Sequence, residues 1–326
     1  MKSYKQLYQR LPQDALALLA EEYEPKELDK VLAGFMCNRP VTLRVNRIKA
    51  DVRQVMEVLR RTNVKFDRVL WYEDALVIKN QREKDLEALE LYREGHIYLQ
   101  SLSSMLPPLV LQPAPGSKVL DLTAAPGGKA TQLAALMGNE GLVLANEINQ
   151  VRAQRLKFNV ERQGTSCVTV RVADGKWLEP QYQEYFDAVL LDAPCSGVGL
   201  FELERPQTYR GWSMRLVKQL VKEQRKLLET AFWALRPGGA LVYSTCTLTR
   251  EENMANVEWV LKRYPESVSL GTINFNLTGA ENNQRFDTIP NSAGRVLTLL
   301  PGILYEGFFV ARFRKNRTAP STFKSQ

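Results

Sequence analysis

Asp121-Leu122-Thr123-Ala124-Ala125-Pro126-Gly127-Gly128-Lys129 joins a short apolar run, residues 119–122, to a helical stretch, residues 128–137. Small residues between a strand and a helix let backbone approach a ligand, and the helix start offers unpaired N–H groups to it. The loop has neither the G-x-G-x-x-G spacing of a dinucleotide site nor the G-x-x-x-x-G-K-[ST] spacing of a phosphate loop. NAD and ATP are therefore disfavoured. An adenosine-containing ligand without a pyrophosphate fits better, and S-adenosylmethionine is the candidate.

Downstream, strands and helices alternate, which argues for a parallel α/β sheet. Strands are expected at residues 142–146, 167–172, 188–191 and 240–244, with helices at 150–163 and 217–235. Pro237-Gly238-Gly239 reads as the turn into the 240–244 strand, and residues 296–299 and 307–313 as a closing hairpin-like pair. Ligands in such sheets bind at the carboxyl ends of the strands. Three acids fall there: Glu147 at the end of the second strand, Asp174 after the third and Asp192 at the end of the fourth. Glu147 suits the hydroxyls of a ribose. Taken singly, each acid is as readily a solvated carboxylate or a helix cap.

Upstream, residues 11–36 read as helical, with Leu28, Val31, Leu32 and Phe35 at helical spacing and Pro25 in a first turn. Residues 41–46 read as a strand. Asp51 is expected to cap a helix running to Arg61, with Val52, Val55, Met56 and Leu59 on one face. Strands at 67–71 and 75–79 complete a β-α-β-β unit, small enough to pack beside a larger domain. The polar stretch from Lys315 to Gln326 is expected to be disordered.

The chain has 326 residues, 44% hydrophobic and 25% charged, with a net charge of +8. A basic balance suits a polyanion such as nucleic acid, although a merely basic enzyme has the same charge. No apolar run is long enough to span a membrane and Met1-Lys2-Ser3-Tyr4-Lys5 lacks a signal-peptide core, so a cytoplasmic protein is expected. The single histidine, His96, leaves no basis for a Ser-His-Asp triad or a multi-histidine metal site. None of the four cysteines, Cys37, Cys167, Cys195 and Cys246, forms a C-x-x-C pair, so no metal site is expected. Cys37 and Cys167 read as packing residues.

Cys195 and Cys246 differ from the other two in their context. Asp192-Ala193-Pro194-Cys195-Ser196-Gly197 and Tyr243-Ser244-Thr245-Cys246-Thr247 follow the fourth and fifth strands, whose ends open on one face of the sheet. With the 124–129 loop, these segments resemble the RNA 5-methylcytosine methyltransferase family of the Sun or Fmu type. Arg44-Val45-Asn46, Gln100-Ser101 through Ser104-Met105, Glu147, Arg152, Asn159 and Gly307-Phe308-Phe309-Val310-Ala311 extend the likeness over nearly the whole chain. Departures are Thr123, where cysteine is common, Ala130, where threonine is usual, and Val198 and Leu200 in the segment after Ser196-Gly197.

The resemblance implies a Rossmann-like class I methyltransferase domain at 95–315, preceded by a helical extension at 1–38 and a small, RNA-recognition-like α+β RNA-binding domain at 39–94, and followed by a tail at 316–326. It implies S-adenosylmethionine as cofactor, held by Ala124, Ala125, Pro126, Gly127, Gly128, Lys129, Ala130, Glu147, Asp174 and Asp192. It implies Cys246 as the nucleophile at carbon 6 of cytosine, which makes carbon 5 enamine-like. Cys195 is then the residue of the second half, assisting loss of the carbon 5 proton and release of the enzyme; Asp192 hydrogen-bonds or protonates the base near nitrogen 3 and touches the methionine end of the cofactor, and Lys129 steadies Asp192 or the base. Ribosomal RNA is the favoured partner and transfer RNA the alternative, with the protein acting as a monomer. Arg39, Arg44, Arg47, Lys49, Arg53, Arg60 and Arg61, with Arg152, Arg155 and Lys157, are the expected phosphate contacts. A catalytically silent RNA-binding assembly factor and a NAD-dependent oxidoreductase are the rival readings. The first is disfavoured because both cysteines and all three acids are present, the second because the glycine fingerprint is missing.

Overall fold

The computed structural model describes residues 4–273, 277, 283–289 and 292–317. Three helices open the chain: α1 (Tyr4–Arg10), α2 (Gln13–Glu22) and α3 (Pro25–Phe35). The first lies ahead of the expected helical stretch. Pro25 takes the first turn of α3, as its fixed φ and missing N–H favour.

The small unit comprises β1 (Thr42–Val45), α4 (Val52–Arg61), β2 (Phe66–Arg68), β3 (Ala75–Ile78), α5 (Glu83–Glu87), α6 (Glu90–Arg93) and β4 (Ile97–Leu99). Asp51 caps α4, accepting from the Arg53 amide at 2.8 Å, while Gln54 reaches back to the Asp51 amide. Val52, Val55, Met56 and Leu59 pack against Leu43, Val45, Leu76 and Ile78 of the sheet, a core of its own. The sheet order is β2-β3-β1-β4, all antiparallel. The last strand corrects the expected boundary at 94: Leu43 pairs with Leu99 and Val45 with Ile97, so the unit runs past residue 95. Three residues are too few to show a period of two.

The large sheet is built from β5 (Lys118–Asp121), β6 (Leu142–Glu147), β7 (Val168–Val172), β8 (Phe186–Asp192) and β9 (Leu235–Thr245), parallel in the order β7-β6-β5-β8-β9. β13 (Phe308–Lys315) joins β9 antiparallel, followed by β12 (Arg295–Leu299) and β11 (Gln284–Thr288), while β10 (Val268–Leu270) pairs with β13. The chain reverses its direction of winding between β5 and β8, where a crevice opens at the strand ends. α7 (Leu106–Leu111), α8 (Gly128–Leu136) and α9 (Gln150–Gln163) cover one face, and α10 (Met214–Ala234) and α11 (Met254–Arg263) the other.

Side chains alternate accordingly. Ala188 and Leu190 of β8 point into the first layer, Val189 and Leu191 into the second. Burial on both faces explains the unbroken apolar runs. Pro237-Gly238-Gly239 is a bulge within β9 rather than a turn before it: pairing steps from Phe186–Leu235 to Ala188–Ala240, with Gly238 at φ +80°. Lys315, expected to begin the polar tail, ends β13 in the interior. Its ammonium donates to the Phe232 and Leu235 carbonyls at 2.9 and 2.7 Å and pairs with Glu184 at 3.0 Å. Residues 318–326 of that tail lie outside the described residues.

The three N-terminal helices pack chiefly on the loops after β8 and β9, not on the small sheet. Leu7, Leu19, Val31 and Phe35 share a core with Val198, Phe201 and Leu248, and the Tyr23 hydroxyl donates to the Leu248 carbonyl at 3.2 Å. They therefore brace the segments that follow both Cys195 and Cys246.

Candidate active site

In the β8–β9 ladder Asp192 pairs with Ser244, so the chain leaves both strands at one level of the crevice. The Cys195 and Cys246 sulfurs come to 3.1 Å, both as half-buried free thiols. The contact to Cys246, then burial, then the charges of Glu252 and Asp192 push the Cys195 thiol well above its ordinary pKa. Each of these causes disfavours a charge on the Cys195 sulfur.

Asp192 is fixed by two donors. Ser244 Oγ donates to Oδ1 at 2.7 Å, and Lys129 Nζ pairs with Oδ2 at 2.7 Å. Lys129 also donates to Ser104 Oγ at 2.6 Å and lies 5.9 Å from the centre of the Phe308 ring. Burial alone would lower the lysine pKa, but Asp192 in contact and Asp121 nearby leave it above the ordinary value. Thr123, one of the departures from the family pattern, donates to the Asp192 carbonyl at 2.8 Å.

The 124–129 loop is drawn against its neighbours. The Ala124 amide donates to the Asn146 carbonyl at 2.8 Å, and the Ala125–Pro126 peptide is cis. Gly127 sits at φ +110°, where a Cβ would also crowd Leu156 of α9 at 3.0 Å. Arg152 and Asn159 of α9 donate to the Ala125 and Pro126 carbonyls at 2.9 and 2.8 Å. Ala130, in the first turn of α8, is fully buried in the core. Glu147 is buried beside the Asn149 amide and pairs with Arg152 at 3.4 Å. Asp174 accepts from the Lys176 amide and pairs with its ammonium at 3.2 Å.

Asp121, at the end of β5, opens the quoted loop but is not among the residues expected from the sequence to line the site. It is 1% exposed, and neither carboxylate oxygen makes a full hydrogen bond. Burial pushes its pKa up to about 7, against the pull of Lys129 and with Asp192 and Glu147 adding to the rise. A strand-end acid of this kind is legible in sequence. Its isolation is not, because it depends on the surrounding packing.

The expected phosphate contacts divide. Arg44 is fully buried and donates to Gln100 Oε1 at 3.1 Å and Thr131 Oγ1 at 3.1 Å. Arg39 is tied to Glu202 at 3.2 Å and to the Tyr305 and Gly34 carbonyls. Lys49 donates to the Glu94 and Arg162 carbonyls, and Arg47 pairs with Asp51 and Asp74. These four brace the chain; the expectation that Arg39 and Arg44 meet phosphate is corrected, for Arg44 by full burial and for Arg39 by its ties to Glu202 and two carbonyls. Asn46, next to them, donates to the Gly95 and Gln163 carbonyls, joining small unit to large. Arg53, Arg60, Arg61, Arg155 and Lys157 are exposed.

A family model described as 16S rRNA methyltransferase RsmB/F matches residues 108–314. Ribosomal RNA small subunit methyltransferase F of Shewanella sp. (strain MR-4) is 38% identical over 318 residues, covering 95% of this chain and 64% of the relative. The protein of that name from Klebsiella pneumoniae (strain 342) is 40% identical over 290 residues, covering 86% of this chain and 58% of the relative. The chain thus spans less than two thirds of these relatives' length. Among solved structures, a methyltransferase homolog protein from Pyrococcus horikoshii superposes with a TM-score of 0.74 at 28% identity, covering 96% of this chain and 100% of that one. NSun6 from Pyrococcus horikoshii with SFG shares the fold, with a TM-score of 0.80 at 21% identity over 95% of this chain and 100% of that one. The large sheet and its helices are those of a methyltransferase fold.

Proposed function

The chain belongs to the 16S rRNA methyltransferase RsmB/F family, and from that premise we propose that it methylates carbon 5 of a cytosine in ribosomal RNA, using S-adenosylmethionine and Cys246 as nucleophile. One observation carries the reading: two free thiols 3.1 Å apart, at the same strand ends as an aspartate held by a lysine and a serine.

The residues fit the cofactor. Asp121, Glu147, Asp174 and Asp192 bring four carboxylates to the strand ends, and the two Asp121 oxygens are left without full partners, which favours a cationic ligand. Glu147 would take the ribose, the 124–128 backbone the adenosine side, and Asp174 and Asp192 the rest. S-adenosylmethionine, when bound, supplies a methyl group on a sulfonium sulfur.

The chain's own residues then act in order. Cys246 adds through Sγ to carbon 6 of the cytosine, and carbon 5 becomes enamine-like. Asp192, kept in place by Lys129 and Ser244, hydrogen-bonds near nitrogen 3 and makes carbon 6 electrophilic. After methylation Cys195, having first given its own proton to solvent, takes the carbon 5 proton as the thiolate; the carbon 5–hydrogen electron pair restores the carbon 5–carbon 6 double bond, the carbon 6–sulfur bond breaks and its electron pair returns to Cys246. The base must be splayed from any helix to enter. The unit at 39–99, with Arg53, Arg60 and Arg61 exposed, and α9, with Arg155 and Lys157, would track the phosphates.

The test is transfer of labelled methyl groups to RNA lacking that modification, mapped by species and position. Label at carbon 5 of a cytosine in small-subunit ribosomal RNA, free or in particles, is the expected result. Label in transfer RNA alone would replace the substrate. No label in any RNA, despite cofactor binding, would overturn the activity and favour a silent assembly factor.

A further inference from the structure

Glu252 lies between β9 and α11 and is fully buried. Its carboxylate accepts four hydrogen bonds. Oε1 receives the Ser196 amide at 2.9 Å and Gln224 Nε2 at 3.0 Å; Oε2 receives Ser196 Oγ at 2.5 Å and Thr249 Oγ1 at 2.8 Å. Lysine and arginine are absent from these four partners. Burying a carboxylate away from any cation is costly unless donors surround it, and here they do.

Two of the partners are informative by position. Ser196 follows Cys195 directly, and Thr249 lies on the segment that carries Cys246. Ser196 Oγ also meets Thr247 Oγ1 at 3.0 Å, which links the two segments a second time. Gln224 of α10 adds a third tie, donating to the Pro194 carbonyl at 2.9 Å just ahead of Cys195. Its own side-chain oxygen is fixed by Asn256 at 2.8 Å. Both thiol-bearing loops therefore close onto one carboxylate, while neither cysteine sulfur is hydrogen-bonded to Glu252 itself.

We propose that Glu252 is a positioning residue for the thiol pair: its four hydrogen bonds set where Cys195 sits relative to Cys246, so its loss impairs release of the product more than formation of the covalent adduct. The inference rests on the covalent reaction proposed above. Cys246 directly follows β9, and its carbonyl accepts from the Gly199 amide at 3.0 Å, two restraints that do not involve Glu252. Cys195 hangs from the 193–197 loop, which backbone bonds anchor on either side, Ala193 to the Ser244 carbonyl at 2.8 Å and Gly199 to the Cys246 carbonyl at 3.0 Å, while the side-chain ties next to Cys195 run through Ser196 to Glu252 and Thr247. The negative charge of Glu252 also adds to the forces that keep the Cys195 proton in place.

Denaturant-resistant protein–RNA adduct and methylated product would be followed together in wild type, Cys195→Ala, Glu252→Ala and Glu252→Gln. In Glu252→Ala, turnover should fall about tenfold or more while the adduct-to-product ratio rises about fivefold, with the KM for S-adenosylmethionine within about twofold. Glu252→Gln should recover turnover to within about threefold of wild type, because its oxygen still accepts from Ser196 and Gln224 and its amide donates to the two hydroxyls. If Glu252→Ala fails to fold, Ser196→Ala, which removes only the Oε2 and Thr247 contacts of that residue, should shift the same ratio in the same direction. Parallel loss of adduct and product, or a glutamine variant no better than alanine, would overturn the inference. Methylation by wild type and trapping by Cys195→Ala, without trapping in the Glu252 and Ser196 variants, would overturn it alone. Absence of both adduct and methylation in wild type would overturn it together with the proposed reaction.

Discussion

Arg44 on β1 donates through Nη2 to Thr131 Oγ1 on α8 at 3.1 Å, fully buried, so the small sheet is bolted to the helix that follows the cofactor loop. The same guanidinium holds Gln100, which in turn donates to Gln132 of α8 and to the Ser104 carbonyl. Ser104 is the residue that receives Lys129. A chain of polar contacts thus runs from the N-terminal unit to the lysine that fixes Asp192.

Arg44→Ala is therefore expected to act on stability and cofactor affinity, not on RNA electrostatics. Leaving Gln100 and Thr131 without their donor should cost about 3 kcal/mol in urea unfolding. The slope of RNA affinity against salt should be unchanged, whereas Arg155→Ala, at an exposed position, should lower it by about one phosphate contact. A salt slope that drops with Arg44→Ala would return that residue to the RNA surface.

Asp121 makes stability depend on pH. Its folded pKa of about 7 exceeds the ordinary 3.8, so the fold favours the protonated form. The resulting stability is full below about pH 4 and is lost as pH rises through about 7, by at most about 4 kcal/mol. The charged groups acting on it are Lys129, Asp192 and Glu147. Asp121→Asn should flatten this dependence and unfold at higher denaturant than wild type at pH 8, in the absence of cofactor. Equal slopes in both proteins between pH 5 and 8 would show that Asp121 is charged throughout.

Lys129→Met should reduce turnover about a hundredfold while leaving the fold intact, since Asp192 loses one of its two fixed donors and its counter-charge. Circular dichroism and steady-state rates measured side by side separate the two effects. A variant that retains more than about a third of wild-type turnover would remove Lys129 from the machinery.

The thiol contact also makes a chemical prediction. Mild oxidation should consume two of the four thiols, at Cys195 and Cys246, with reversible loss of activity, while Cys37 and Cys167 stay free. Peptide mapping after blocking free thiols distinguishes this from oxidation at any other pair.

Much of this was readable in the chain. The Asp51 cap, the stripe from Val52 to Leu59 and the extent of α9 follow from local chemistry, and the structure has them at those positions. The convergence of Cys195 and Cys246 was legible because neighbouring strands of a parallel sheet end on one side. What escaped depends on tertiary packing. α7 is apolar on every side, so periodicity cannot distinguish it from a strand, and β4 is too short to show a pattern. Arg44 looks like a surface charge in sequence and becomes a brace only because β1 is covered by α8. Glu252 is one of two adjacent glutamates, and nothing local marks which of them closes the cysteine loops.

The central claim is that Cys246 bonds covalently to the target base. RNA carrying fluorine in place of hydrogen at carbon 5 of its cytosines has no proton to lose there after methyl transfer, so the adduct should accumulate and be mapped by mass spectrometry after digestion. The account predicts a nucleotide-bearing peptide that contains Cys246, formed by wild type and absent with Cys246→Ala. An adduct on Cys195, or normal RNA methylation by Cys246→Ala, would contradict it.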